Sequence, residues 1–357
     1  MHTSKRRTGM TTVARACVIA MGLSQAACAA APDATIDAAS RGQVISAVVA
    51  QLQRAYVFPG TAKVMVADLR AREKRGDFSG VDSANDFADA LTKAMRDASH
   101  DAHIEVRYSA DAVPDMSAKP DASQAPDGDE LARQRRLNFG FSGVERLKGN
   151  LGYLDVHQFG RPAGAAPRIA AAMAFLAQTD ALIIDLRKCG GGDPETVMAF
   201  AGYLYDKPTH LNDVYWRDEN RLEARWTPAT VPGPRYGQRR DVYLLTSSDT
   251  FSGCEDLAYA MKNNHRAVLI GETTGGGAHA GAPQRLTDHF MMFVPTGRPI
   301  NPITHGDWEG VGVKPDVAID ADDALDTAQI AALTVLAGNE RDAEWKRKLE
   351  ERIGELK

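Results

Sequence analysis

The chain repeats one pattern twice: a short apolar run, a turn, then a helix start. Residues 181–186, ALIIDL, run into R-K-C-G-G-G and then Asp193-Pro194-Glu195, where an Asp cap and Pro at the first helical position open a helix. Residues 242–245, VYLL, lead through a polar turn at 246–250 to Ser252 and to helical spacing at Leu257, Ala258 and Met261. Continuous apolar runs of this length suit strands covered on both faces. Strands are also read at 151–156, 267–270 and 290–294, and a helix at 168–176 with Ile169, Met173 and Leu176 on one side. Strands alternating with helices give an α/β fold class with several parallel strands.

Ahead of this core, residues 36–98 read as a small helical bundle. Val44, Val48, Leu52 and Ala55 share one face, and Val64, Leu69 and Phe87, Leu91, Met95 mark two more. Pro59-Gly60 and Gly76-Asp77 break the run, and Ser83 is placed to cap. The catalytic core is expected over 103–335, opening on a strand at Ile104, Val106 and Tyr108. Residues 110–132, rich in Pro, Asp and Ser, read as an exposed loop. A terminal helix over 338–357 has Trp345, Leu349, Ile353 and Leu356 in one stripe, which suits packing on the domain or a partner.

The 357 residues carry a net charge of −5, with no basic block to argue for nucleic acid. Residues 1–31 read as a signal peptide: Lys5, Arg6 and Arg7, a short apolar stretch at 16–23, then small residues suited to cleavage. The stretch is too short to span a bilayer, so no stable membrane insertion is expected. The expected location is periplasmic or secreted; Gln25 argues against a lipid-bearing Cys28. The histidines are scattered and no HExxH or paired-cysteine spacing occurs, so neither metal nor cofactor is expected.

Chemistry concentrates in four segments: SHDAH at 99–103, DLRKCGGGD at 185–193, TFSGCED at 250–256 and WEGVGVKPDV at 308–317. A serine between strand and helix sits where free N–H groups and the helix dipole favour developing negative charge. That suits both an ordinary N-cap and an acyl-transfer nucleophile. The triple glycine suits both a tight turn and an oxyanion-binding one, and Arg187 is placed to brace it on a carboxylate.

Together with GETTGGGAHAG at 271–281, these segments resemble the tail-specific, or carboxy-terminal-processing, protease family. The likeness spans roughly residues 40–335. It is greatest to the branch containing interphotoreceptor retinoid-binding protein, with tricorn protease more distant. The resemblance implies a Clp-protease/crotonase-like core and an exported serine peptidase acting on peptide or protein substrates. It implies Ser252 as nucleophile, with the N–H groups of Gly253 and Gly191 as oxyanion hole. One branch uses a lysine base in G-E-x-x-x-G-K-G; here the lysine position is Gly277, which disfavours a Ser–Lys dyad. The histidine-based branch instead implies His103, in Asp101-Ala102-His103, as base and Glu309 as its orienting acid. His100 and His279 stay open as alternative bases.

Cys189 and Cys254 flank the expected oxyanion turn and the nucleophile, where a disulfide would brace one against the other. No segment reads as the PDZ-like domain of many tail-specific proteases. Two other readings stand beside the peptidase: an apolar-ligand carrier on the same fold, and an esterase acting through the same serine.

Overall fold

The computed structural model describes residues 33–115 and 128–357, so the expected signal segment lies outside the described residues. Helices α1 (Ala38–Ala55), α2 (Pro59–Arg75) and α3 (Ala84–Ser99) come first. Asp37 and Ser83 accept backbone N–H groups at the starts of α1 and α3, and α2 stops at Gly76 with φ 78°. Their apolar faces, including Leu52, Met65, Leu69, Phe87 and Leu91, pack together and against Val106, Met292 and Val294.

After β1 (Glu105–Tyr108) the expected 110–132 loop is not followed to its end. Residues 116–127 lie outside the described set, and α4 (Gly128–Arg136) begins inside the expected loop. Its straight-chain residues favour helix; Glu130 pairs with Arg133 and Gln134, and Leu131 packs on the core.

The core continues through β2 (Phe141–Leu147), β3 (Leu151–Val156), α5 (Pro162–Leu176), β4 (Ala181–Asp185) and α6 (Pro194–Ala201). Then come β5 (His210–Trp216), β6 (Arg221–Trp226), β7 (Asp241–Thr246), α7 (Gly253–Asn263) and β8 (Val268–Gly271). The chain closes with β9 (Ala280–Arg285), β10 (Phe290–Ile300), β11 (Val317–Ala318), α8 (Ala324–Asn339) and α9 (Ala343–Glu355). Strands β11-β8-β7-β4-β3-β2 form one sheet, parallel except for the β2–β3 hairpin. An antiparallel sheet runs β1-β10-β5-β6, with β9 also on β10.

Along β4 every residue is buried, and alternate residues serve opposite faces. Leu182 and Ile184 join the cluster beneath α5, α6 and α7, whereas Ile183 faces α8 and α9. The terminal stripe of Trp345, Leu349, Ile353 and Leu356 packs on the domain itself, with Leu349 buried. Asp342 caps α9 through its carboxylate, so this helix starts later than the expected 338.

Cys189, in the turn after β4, is bonded to Cys254 in the first turn of α7, with Cα atoms 5.9 Å apart. The bridge closes a loop of 65 residues in sequence separation. Proteolytic mapping without reductant should recover Cys189 and Cys254 in one cross-linked peptide pair. Replacing both by alanine should cost about 2–4 kcal/mol in urea unfolding. Recovery of both as free thiols would contradict the pairing.

Candidate active site

The two strand–turn–helix units end side by side, at the carboxyl ends of neighbouring parallel strands, the usual crevice of α/β sheets. Several bonds sew their turns together. Phe251 N–H donates to Cys189 O at 2.9 Å, and Thr250 Oγ1 donates to Leu186 O at 2.8 Å. Arg187 braces the first turn as expected: its guanidinium grips Asp185 at 2.9 and 2.6 Å and reaches Ala321 O. Asp185 is held below the usual carboxylate range; burial opposes this, and the Arg187 bonds outweigh it.

Ser252 occupies the N-cap position of α7 with φ 51° and ψ −121°. A non-glycine residue there is strained, and the surroundings must hold it. Ser252 opens a capping box with Glu255, and its Oγ lies 3.1 Å from Nε2 of His103. The Ser252 N–H donates to Glu255 Oε2 at 2.9 Å.

Glu255 is fully buried. Besides Ser252 N–H, its carboxylate accepts the Thr274 hydroxyl and the N–H groups of Gly276 and Gly277, the latter two at 2.7 and 2.8 Å. It therefore ties the Ser252 turn to the glycine loop of 275–277. Burial still raises its pKa despite these four donors. The S-x-x-E spacing of Ser252 and Glu255 signals a capping box; the three donors from the distant loop have no local signal.

Gly277 stands where the lysine of a Ser–Lys dyad would be. A Cβ there would meet the Phe251 ring at 2.1 Å and His103 Cε1 at 2.8 Å. The space is filled by the imidazole and its aromatic support; the His103 ring lies 4.8 Å from that of Phe251 and 5.9 Å from that of Phe293. Of the other histidines considered, His100 is exposed at the end of α3 with φ 58°. His279 lies in the cleft wall, bonded to Asp101.

The expected oxyanion donors divide. Gly253 is the first residue of α7 and lines the cleft. Gly191, with φ 115°, turns its N–H instead to Cys254 Sγ at 3.1 Å. Its neighbour Gly192 also lines the cleft and lies within about one contact of Gly253, a Cβ on Gly253 meeting Gly192 N at 3.1 Å. Gly191 N–H is thus taken up by the sulfur, and Gly192 is the glycine of this turn that lines the cleft.

Glu309 is not brought to the His103 ring. Its Oε2 accepts the N–H groups of Ala278 and His279 at 2.6 and 3.0 Å. His103 Nδ1 and Glu309 Oε1 are both buried without a partner among the described residues. Asp101 lies nearer to His103 in effect: Oδ1 accepts the His103 backbone N–H at 3.0 Å, while Oδ2 accepts from Tyr56 OH and faces His279 Nδ1 at 2.7 Å. Burial pushes the His103 pKa down, so the ring is neutral at neutral pH. Burial, then the charge of Asp101, pushes Glu309 up to about 7. Asp101, His279 and Glu309 bring donor atoms within 4.8 Å of one another. The 2.7 Å contact there is what a shared proton satisfies.

A cleft of about 500 Å³ opens over Ser252, His103, Gly192 and Gly253. Its far wall comes from the antiparallel sheet: Val214 and Trp216 of β5, Glu223 and Arg225 of β6, Phe293 and Pro299 of β10. Strands β5, β6 and β9 were not anticipated, because charge alternation in RLEARW and Gly and Pro in AGAPQR hide them.

Removing the Glu255 carboxylate should undo the site and the fold together. Glu255→Ala leaves four buried donors without an acceptor, and should cost about 3–5 kcal/mol in urea unfolding. Glu255→Gln, which keeps one accepting oxygen, should cost less. Equal stability of Glu255→Ala and wild type would contradict this role.

The model of peptidase family S41 matches residues 150–319, and that of the N-terminal domain of peptidase S41 in eukaryotic IRBP matches residues 37–136. The chain is 28% identical over 174 residues to carboxyl-terminal-processing peptidase 2, chloroplastic, of Arabidopsis thaliana. That alignment covers 46% of this chain and 31% of the relative, so the chain spans about a third of its length. A lipoprotein of Streptococcus agalactiae superposes with TM-score 0.55 at 13% identity, over 82% of this chain and 96% of the other. A putative peptidase of Parabacteroides merdae does so with TM-score 0.53 at 16% identity, over 88% and 96%. Such likeness speaks for the fold, which is the Clp-protease/crotonase-like α/β core with helices at its N-terminus. With the two family models falling in order on the helical segment and the α/β core, the chain belongs to peptidase family S41, with the IRBP-like N-terminal domain.

Proposed function

We propose that this protein is an exported serine peptidase that hydrolyses peptide bonds through an acyl-enzyme. The observation that supports this most is the 3.1 Å approach of His103 Nε2 to Ser252 Oγ, at a helix N-terminus on the wall of a cleft. Membership of peptidase family S41 supports it independently. Export rests on the basic and apolar pattern of residues 1–31.

In this reading His103 takes the Ser252 proton as Oγ attacks the scissile carbonyl carbon. The N–H groups of Gly192 and Gly253, with the dipole of α7, receive the oxyanion. His103 then gives its proton to the leaving amine, and water, deprotonated by the same ring, releases the acyl group. Glu309 acts at one remove, through the backbone of Ala278 and His279. A strained serine beside a neutral imidazole favours catalysis over an apolar-ligand carrier, which needs neither. An esterase would share the first step; digestion of a peptide library separates the two.

Ser252→Ala should abolish cleavage of such a library while leaving the unfolding midpoint within about 1 kcal/mol of wild type. Undiminished cleavage would refute the assignment. The base must be neutral to act, and burial lowers its pKa. The rate should therefore rise with pH and reach half its plateau below pH ~6.5, the usual imidazole value. A half-point well above that would contradict the buried-base account.

A further inference from the structure

One buried histidine beside the site is not used by the mechanism above. His279 lies in the cleft wall between two carboxylates: Nδ1 is 2.7 Å from Asp101 Oδ2 and 3.6 Å from Glu309 Oε2. The same Asp101 accepts the His103 backbone N–H through its other oxygen. The contact joins residues 178 apart in sequence.

We propose that His279 is a positioning residue of the peptidase site, held as an imidazolium between Asp101 and Glu309, where it fixes the carboxylate that carries the His103 backbone and biases the His103 ring toward its neutral form. The proposal rests on the peptidase reading for its effect on rate, though not for the charge on His279.

The charges around the ring favour this state. Asp101 follows α3; Glu309 and Asp307 come from the loop before β11. Tyr56, at the end of α1, donates to Asp101 rather than to the ring, and the Phe58 ring packs edge-on at 5.3 Å. The Arg298 guanidinium of β10 lies 5.7 Å from the centre of the same Phe58 ring. His103 is the other imidazole nearby, and the charge of Arg96 of α3 also acts on it, lowering its pKa. Burial alone would discharge His279, but the Asp101 bond and the charges of Glu309 and Asp101 outweigh it and raise its pKa. The sign for His103 is opposite: burial lowers its pKa, Asp101 raises it, and the His279 charge lowers it further. A neutral residue at 279 therefore leaves Asp101 to pull a proton onto His103.

His279→Asn keeps a group able to donate toward Asp101 and removes the charge together with the ring that packs on Phe58. Its kcat on peptides should fall by roughly tenfold or more, with KM within about twofold. The acid limb of its rate–pH profile should move to higher pH. A limb unchanged from wild type overturns the proposal, because a purely structural residue would lower the rate without moving it. The second measurement needs no variant and no activity: histidine side-chain nitrogen NMR of the full wild-type chain, with the ring assigned through its own backbone. The His279 ring should stay doubly protonated above the pH at which the His103 ring is neutral. If both rings turn neutral together, the proposal fails even where peptides are cleaved. If His279 stays charged and no peptide is cleaved, the peptidase reading fails instead.

Discussion

Four donors converge on one buried carboxylate, and the site depends on that convergence. Glu255 accepts Ser252 N–H, the Thr274 hydroxyl and the N–H groups of Gly276 and Gly277. Ionised and buried, it would be costly alone; with its hydrogen-bonding capacity filled, it becomes a rigid joint. Holding Ser252 N–H helps keep the residue at φ 51°. Holding Gly277 places a glycine against His103 and Phe251, where a side chain would collide with both. The other end of that loop is secured by Trp308, whose Nε1 donates to Gly277 O at 2.9 Å. The serine, the imidazole and the glycine loop are thus one unit.

A second constraint acts from the other side of Ser252. The Cys189–Cys254 bridge and the Phe251–Cys189 hydrogen bond fasten the triple-glycine turn to α7. Cys254 Sγ also takes the N–H of Gly191. Electrostatics follows the same division. Burial lowers the pKa of His103, whereas at His279 the Asp101 bond and the charges of Glu309 and Asp101 outweigh burial and raise it.

Much of the core was legible because the information was local. ALIIDL and VYLL read as buried strands, and Asp193-Pro194 as a helix start, from side chains adjacent in sequence. The S-x-x-E spacing at Ser252 was equally local, yet it reads as a cap with the serine hydroxyl turned inward, whereas that hydroxyl faces a histidine 149 positions away. Glu309 was expected on the His103 ring; its bonds go to the backbone of Ala278 and His279, 31 and 30 positions away, a tertiary matter. Choosing between Gly191 and Gly192 turns on backbone angles of 115° and 138°, which residue type alone does not set. The far wall of the cleft was hidden for another reason: Arg221, Glu223 and Arg225 pair among themselves along β6, so the strand lacks an apolar signature.

The central claim is that Ser252 is a nucleophile because His103 is its base. It is tested most directly by reacting the full chain with a fluorophosphonate at neutral pH and mapping the adduct by mass spectrometry. The account predicts a single adduct on Ser252, formed many times more slowly when His103 is replaced by alanine. An adduct on another residue, or unchanged labelling in His103→Ala, would contradict it.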